Sequence, residues 1–162
     1  MKTGIKGLAL IKEFEGLHDG DLKQIGLQPK MCPAGIWTEG WGRTIRNKGA
    51  FVRGAENKDL AYRLAKIKDV KQADVALIQD LKTFEVIVAR KVTVDLTQNQ
   101  FDALVAHTYN TGGSNTLFKL VNEGDTEGIK NWWLTKYITA NGVVLRGLQR
   151  RRKAELDLFL SK

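Results

Sequence analysis

A chain of 162 residues, 43% hydrophobic and 27% charged, is long enough to close one core and too rich in apolar side chains to stay disordered. No apolar run nears the ~18 residues of a membrane span, and the single cysteine, Cys32, excludes an intrachain disulfide and a thiolate-rich metal site. A net charge of +8 draws the chain to a polyanion, whether nucleic acid, an anionic membrane surface or an acidic wall polymer, without choosing among them.

Thr3 is placed to cap a first helix over residues 4 to 15, in which Ile5, Leu8, Ala9, Ile11 and Phe14 recur near helical spacing. Gly16 follows its end. The same stretch does not read as a secretory signal, because Lys6, Lys12 and Glu13 confine its apolar part and no small-residue cleavage site follows. From Gly16 to Gly54 the texture changes to glycines, both prolines and short β-prone pieces. Within it, residues 36 to 44 alternate, which sets Thr38 and Glu39 on opposite faces of a strand.

Helical patterning then takes over. Helices are expected over Asp59 to Ile67 and Asp74 to Arg90, the second on a stripe of Leu77, Ile78, Leu81, Phe84, Ile87 and Val88. Thr97 and Gln100 form a capping box and Leu96 and Phe101 a hydrophobic staple, which starts a helix Gln98 to Thr111 that Gly112-Gly113 ends. Further helices are expected at Thr116 to Asn122, at Thr126 to Ile138 behind an Asp125 cap, and at Leu148 to Leu160. The fold class is α+β, a single domain over 1–162 with a small β-rich lobe (16–54) and a larger helical lobe (1–15 and 55–162).

Several residues invite chemistry, each against a plainer role. Glu15 closes the first helix; it is either a solvated side chain or a proton donor, since the negative end of a helix favours the uncharged acid. Glu13 competes, but two residues earlier it points about 200° away. Cys32 is either a small buried hydrophobe or a thiol beside a reacting atom, and Thr38 either a routine strand residue or a hydroxyl that holds water. The run Arg150-Arg151-Arg152-Lys153 is a solvated face, a polyanion site, or the source of one guanidinium that returns to pair with a carboxylate. Of the adjacent Trp132 and Trp133, one can be core and the other a wall for a sugar or a base. His18 and His107 are too few and too far apart to suggest zinc.

Four segments carry a resemblance: Glu13-Phe14-Glu15-Gly16-Leu17, Ala34 to Thr44, Leu96 to Val105, and Gly147 to Glu155. In this order, and nearly end to end, they resemble the phage-type lysozymes, the endolysins of glycoside hydrolase family 24. The resemblance implies a lysozyme-like fold with a cleft between the two lobes. It also implies a muramidase that cleaves the β-1,4 bond between N-acetylmuramic acid and N-acetylglucosamine in peptidoglycan. By the same resemblance Glu15 falls on the catalytic acid, Thr38 on the threonine that steadies the attacking water, and Cys32 where many members carry aspartate. Asn110 falls on the substrate-binding lining and Arg151 on the arginine that pairs with the acid, with Arg150 one register away; Trp133 joins them as the candidate sugar wall.

The chain departs from that pattern in three places. The stretch from His18 to Pro33 is longer than the usual connection, which predicts an extra hairpin or loop, while Arg43 stands for a histidine and Glu39 for an apolar residue.

An inverting glycosidase sets an acid and a second group roughly 6.5 to 9.5 Å apart on opposite sugar faces. Glu15 suits the first role. A thiol suits the second less well, being mostly protonated at neutral pH, so Asp19, Asp21 and Glu39 are the alternatives to Cys32. The expected enzyme needs no cofactor, metal, nucleic acid or membrane insertion. It is expected to work as a monomer on peptidoglycan glycan strands, made in the bacterial host cytoplasm without a signal peptide and acting on the wall after release. Two other readings compete: a basic nucleic-acid-binding protein using the Arg150 to Lys153 helix, and a murein-binding module without catalysis.

Overall fold

Helix α1, Ile5–Glu15, opens the chain in the computed structural model, which describes residues 1–162. Its N-terminus is not capped by Thr3 as the sequence suggests. The Thr3 backbone N–H and hydroxyl both donate to Glu85 at 2.7 Å. The helix-end amides of Gly4 and Gly7 instead donate to the buried carboxylate of Asp102, at 2.8 and 3.0 Å. A long-range acid thus satisfies the orphan N–H groups that local pattern assigned to a threonine.

The remaining elements follow in order: β1 Lys30–Met31, β2 Trp37–Glu39, β3 Arg43–Thr44, β4 Arg46–Asn47, β5 Ala50–Phe51, α2 Lys58–Leu64, α3 Val70–Lys91, α4 Gln98–Thr111, α5 Asn115–Glu123, α6 Thr126–Thr135, β6 Thr139–Ala140, β7 Val143–Val144 and α7 Arg146–Leu160. No helix is long and apolar enough to cross a membrane. The chain divides into two compact units, Met1–Phe14 with Leu81–Lys162, and Glu15–Asp80.

The unit Glu15–Asp80 holds an antiparallel sheet in the order β1-β2-β3, with Lys30 opposite Thr38 and Glu39 opposite Arg43. Strand β4 pairs with β5 in a second ribbon. The expected alternation along residues 36 to 44 stops at Glu39, because Gly40 and Gly42 take φ of 58° and 88° and bend the chain out of the strand. Trp37, Thr38 and Glu39 are all buried, so β2 is covered on both faces. One apolar cluster joins Trp37, Ile45, Val52, Ala61 and Ala65, and another joins Leu27, Ile67, Ala73 and Ala76.

This unit runs on past its strands to Asp80, and three side chains explain why. The Glu39 carboxylate accepts from the backbone N–H groups of Lys66 and Ile67 at 2.7 and 2.9 Å. The Trp41 indole donates to Asp74 at 2.7 Å, and Arg43 grips Asp80 through two parallel bonds of 2.8 and 2.9 Å. The strand region thereby fastens α2 and the first half of α3 to itself. The long His18 to Pro33 stretch forms the expected loop. It is closed by His18 N–H on the Gly40 carbonyl (2.8 Å) and Gly20 N–H on that of Gln28 (3.0 Å). A Cβ at Gly20 would strike the Pro29 carbonyl, so this close approach requires glycine.

The helical unit is organised round α4. Its residues Phe101 to Thr108 are all buried, so the helix is covered on every side. The Thr97–Gln100 capping box forms, and Gly112 closes the far end with φ 83°. Helix α5 is capped by Ser114 and α6 by Asp125. Helix α6 stops at Thr135, short of the expected Ile138. A hairpin of β6 and β7 follows, turning on Asn141 and Gly142, both with positive φ.

Candidate active site

Glu15 is the last residue of α1 and is half-buried. Gly16, with φ 69°, releases the chain immediately after it. The carboxylate lies against the backbone of Gly42, where an added Cβ would stand 3.0 Å from Oε2. Gly42→Ala is therefore expected to fail twice, through strain at φ 88° and by displacing the Glu15 carboxylate. Turnover by that variant should fall on the order of 10²-fold, and a rate equal to wild type would show that the carboxylate does not depend on this approach.

Thr38 is 5% exposed, in the centre of the sheet. Its hydroxyl donates to the Lys30 carbonyl at 2.9 Å and sits 3.0 Å from His18 Nδ1. Burial and the nearby charge of Lys30 push the His18 imidazole below its ordinary value of 6.5, and the Glu15 charge partly offsets them. Glu15, His18, Lys30, Thr38 and Gly42 are thus linked by contact or field within one unit. Sequence reasoning missed His18, since nothing in spacing shows that a loop residue turns back onto a strand hydroxyl twenty positions later.

Cys32 is a free, half-buried thiol at the start of a tight turn. Its N–H donates to the Ile36 carbonyl and its own carbonyl accepts from Gly35, both at 2.8 Å. The alternative carboxylates are engaged in structure. Asp19 accepts from the N–H groups of Asp21 and Gln28, Asp21 from Lys23 and Gln24, and Glu39 from Lys66 and Ile67. No three His, Cys, Asp or Glu side chains converge as metal ligands would.

The helical unit corrects two expectations. Trp133 is fully buried and its indole donates to Glu155 at 3.0 Å, so it offers no face to a sugar; Trp132, 8% exposed, is core as well. The basic run is not a solvated face either. Arg151 and Arg152 are buried, 5% and 0% exposed, and both meet Glu155, at 3.2 and 3.0 Å. Only Arg150 and Lys153 of the run remain exposed, and Lys153 pairs with Asp157. The guanidinium planes of Arg150 and Arg151 lie 5.3 and 5.7 Å from the Phe14 ring. Asn110 is exposed at the end of α4 and accepts from Arg152 Nη2 at 2.6 Å, which ties the tip of that helix to α7.

Known proteins are similar to this chain in sequence and in fold. Residues 12–155 match the family described as phage lysozyme. The chain is 31% identical over 168 residues to the endolysin of Acyrthosiphon pisum secondary endosymbiont phage 1, covering 99% of each. It is also 31% identical to the endolysin of Bacillus phage B103, of whose length it spans 55%. Among solved structures, the endolysin from Escherichia coli O157:H7 phage FAHEc1 aligns with a TM-score of 0.73 at 32% identity, over 99% of this chain and 94% of that one. The muramidase domain of SpmX from Asticaccaulis excentricus aligns with a TM-score of 0.67, also at 32% identity, over 99% of both. A single α+β chain matched along nearly its whole length by family, relatives and folds belongs to the phage lysozyme family.

Proposed function

We propose that this chain is a muramidase of the endolysin type, hydrolysing the β-1,4 bond between N-acetylmuramic acid and N-acetylglucosamine in peptidoglycan, with Glu15 as general acid and Thr38 as the hydroxyl that holds the attacking water. The observation that carries the reading is Glu15 itself: a half-buried carboxylate at a helix end, against the backbone of Gly42, in the same unit as the buried hydroxyl of Thr38. An acid so placed can protonate a glycosidic oxygen as the bond to the anomeric carbon breaks. The enzyme acts on the cell wall as a monomer and without a cofactor. Asn110, exposed at its helix end, contributes to substrate binding.

Product analysis tests the reading. Purified sacculi treated with the protein should release soluble muropeptides whose new reducing end is N-acetylmuramic acid. A new reducing end on N-acetylglucosamine, or binding to sacculi without release, would overturn it, the latter in favour of a murein-binding module. The nucleic-acid reading finds little support, because two of the four cations in its basic run are buried on Glu155.

Cys32 fills the position of the second catalytic group. A carboxylate there would be a stronger electrostatic partner for an oxocarbenium-like transition state than a thiol. Cys32→Asp is accordingly expected to remain active, whereas Cys32→Ala should lose on the order of 10² in kcat. Cys32→Ala at the wild-type rate would remove the residue from the mechanism.

A further inference from the structure

We propose that His18 is a positioning residue which, by donating from Nδ1, fixes the Thr38 hydroxyl as an acceptor toward the water that attacks the sugar. The inference rests on the muramidase reading and deepens it.

A threonine hydroxyl has one hydrogen and two lone pairs. Thr38 Oγ1 has two protein neighbours, the Lys30 carbonyl at 2.9 Å and His18 Nδ1 at 3.0 Å. A carbonyl can only accept, so the single hydroxyl hydrogen goes to Lys30. His18 must then be the donor, and the ring carries its proton on Nδ1. One lone pair of Thr38 is left. A water bound there must donate to it, which leaves the water's own lone pairs free to face an anomeric carbon.

Both partners are held in place by backbone. Lys30 stands directly opposite Thr38 in the β1–β2 register, so the sheet sets its carbonyl, and His18 is anchored by its N–H on the Gly40 carbonyl at 2.8 Å. The charge state agrees with this arrangement. Burial and Lys30 lower the affinity of His18 for a second proton more than Glu15 raises it, so the neutral ring has one N–H to give, and Thr38 receives it. The opposite tautomer would make Nδ1 a base that withdraws the Thr38 proton in a relay. It would also set two acceptors, Nδ1 and the Lys30 carbonyl, on one hydroxyl hydrogen. The Lys30 carbonyl therefore decides between a donor and a base.

The test compares His18→Leu, His18→Asn, Thr38→Val and the His18→Leu/Thr38→Val double variant on sacculi, with Glu15→Gln alongside. Asparagine places an amide N–H where Nδ1 stands but carries no basic nitrogen. His18→Leu should lower kcat about 10- to 100-fold with KM little changed, as for a misplaced reactant, and His18→Asn should recover to within about threefold of wild type. In the Thr38→Val background His18→Leu should add no further loss, since both act on one hydrogen bond. A His18→Asn variant as poor as His18→Leu would identify a base and overturn the proposal, as would His18→Leu at the wild-type rate or additive losses in the double variant. Nitrogen NMR of the folded wild-type protein above pH 7 gives a readout independent of activity and of any variant's folding: Nδ1–H is expected, and Nε2–H would overturn the proposal. The muramidase reading fails separately, if Glu15→Gln turns over sacculi as fast as wild type.

Discussion

Glu15→Gln is expected to lower kcat for peptidoglycan hydrolysis by a factor of about 10² to 10⁴, the range contributed by a positioned general acid. Glutamine preserves the length and shape of the side chain that meets Gly42 and removes the transferable proton. The leaving oxygen of a glycosidic bond departs as an alkoxide unless it is protonated, and no nearby acid of the same unit stands ready to replace Glu15. Asp19, Asp21 and Glu39 are each tied by backbone N–H donors into the structure round them. Glu13, on the same helix, is exposed and about 200° away round the axis, so Glu13→Gln should retain the wild-type rate and serves as the matched control. Clearing of sacculi by Glu15→Gln at the rate of Glu13→Gln would sink the assignment.

How far such a site can be read from sequence depends on the range of the interaction that makes it. The Gln98–Thr111 helix was legible to the residue because a capping box, a staple and a terminal glycine are local devices. The placement of Glu15 at a helix end, of Gly16 just past it and of Thr38 on a strand was also legible locally. The cap of α1 was not, since Asp102 reaches it from nearly a hundred residues away and outcompetes the adjacent Thr3. Alternation misplaced nothing up to Glu39 but could not register that Gly40 and Gly42 end the strand. The β6–β7 hairpin carried a readable signal, Asn141-Gly142, that the helical pattern of the preceding residues masked. His18 left no local trace. Its partner Thr38 lies twenty positions away, whereas Arg151 and Arg152 meet Glu155 on their own helix, four and three residues further on.

Glu155→Gln is expected to destabilise the protein by about 3 to 5 kcal/mol, the range for breaking a buried ion pair by removing one partner, and to lower its melting temperature on the order of 10 °C. Glu155 is fully buried on α7 and is met by His107 Nδ1 and the Trp133 indole at 3.0 Å, by Arg151 Nε at 3.2 Å and by Arg152 Nη2 at 3.0 Å. Burial alone would raise its carboxyl above the ordinary value, but His107, Arg152 and Trp133 outweigh it and hold the group below. His107 is also held below its ordinary value of 6.5, because its burial outweighs the pull of Glu155. A group whose proton affinity is depressed in the folded state stabilises the fold above its unfolded value and loses that contribution as pH falls. Wild type should therefore weaken first just below pH 6.5, through His107 and His18, and again below 4.5, through Glu155. In Glu155→Gln the fully buried Arg152 guanidinium keeps its charge and loses this carboxylate, so the damage is already present at neutral pH and the second acid step disappears. Chemical denaturation from pH 7 to pH 3 measures both effects. A variant as stable as wild type at pH 7 would show that Arg151 and Arg152 find their compensation elsewhere, and a surviving step below 4.5 would assign that step to another carboxylate.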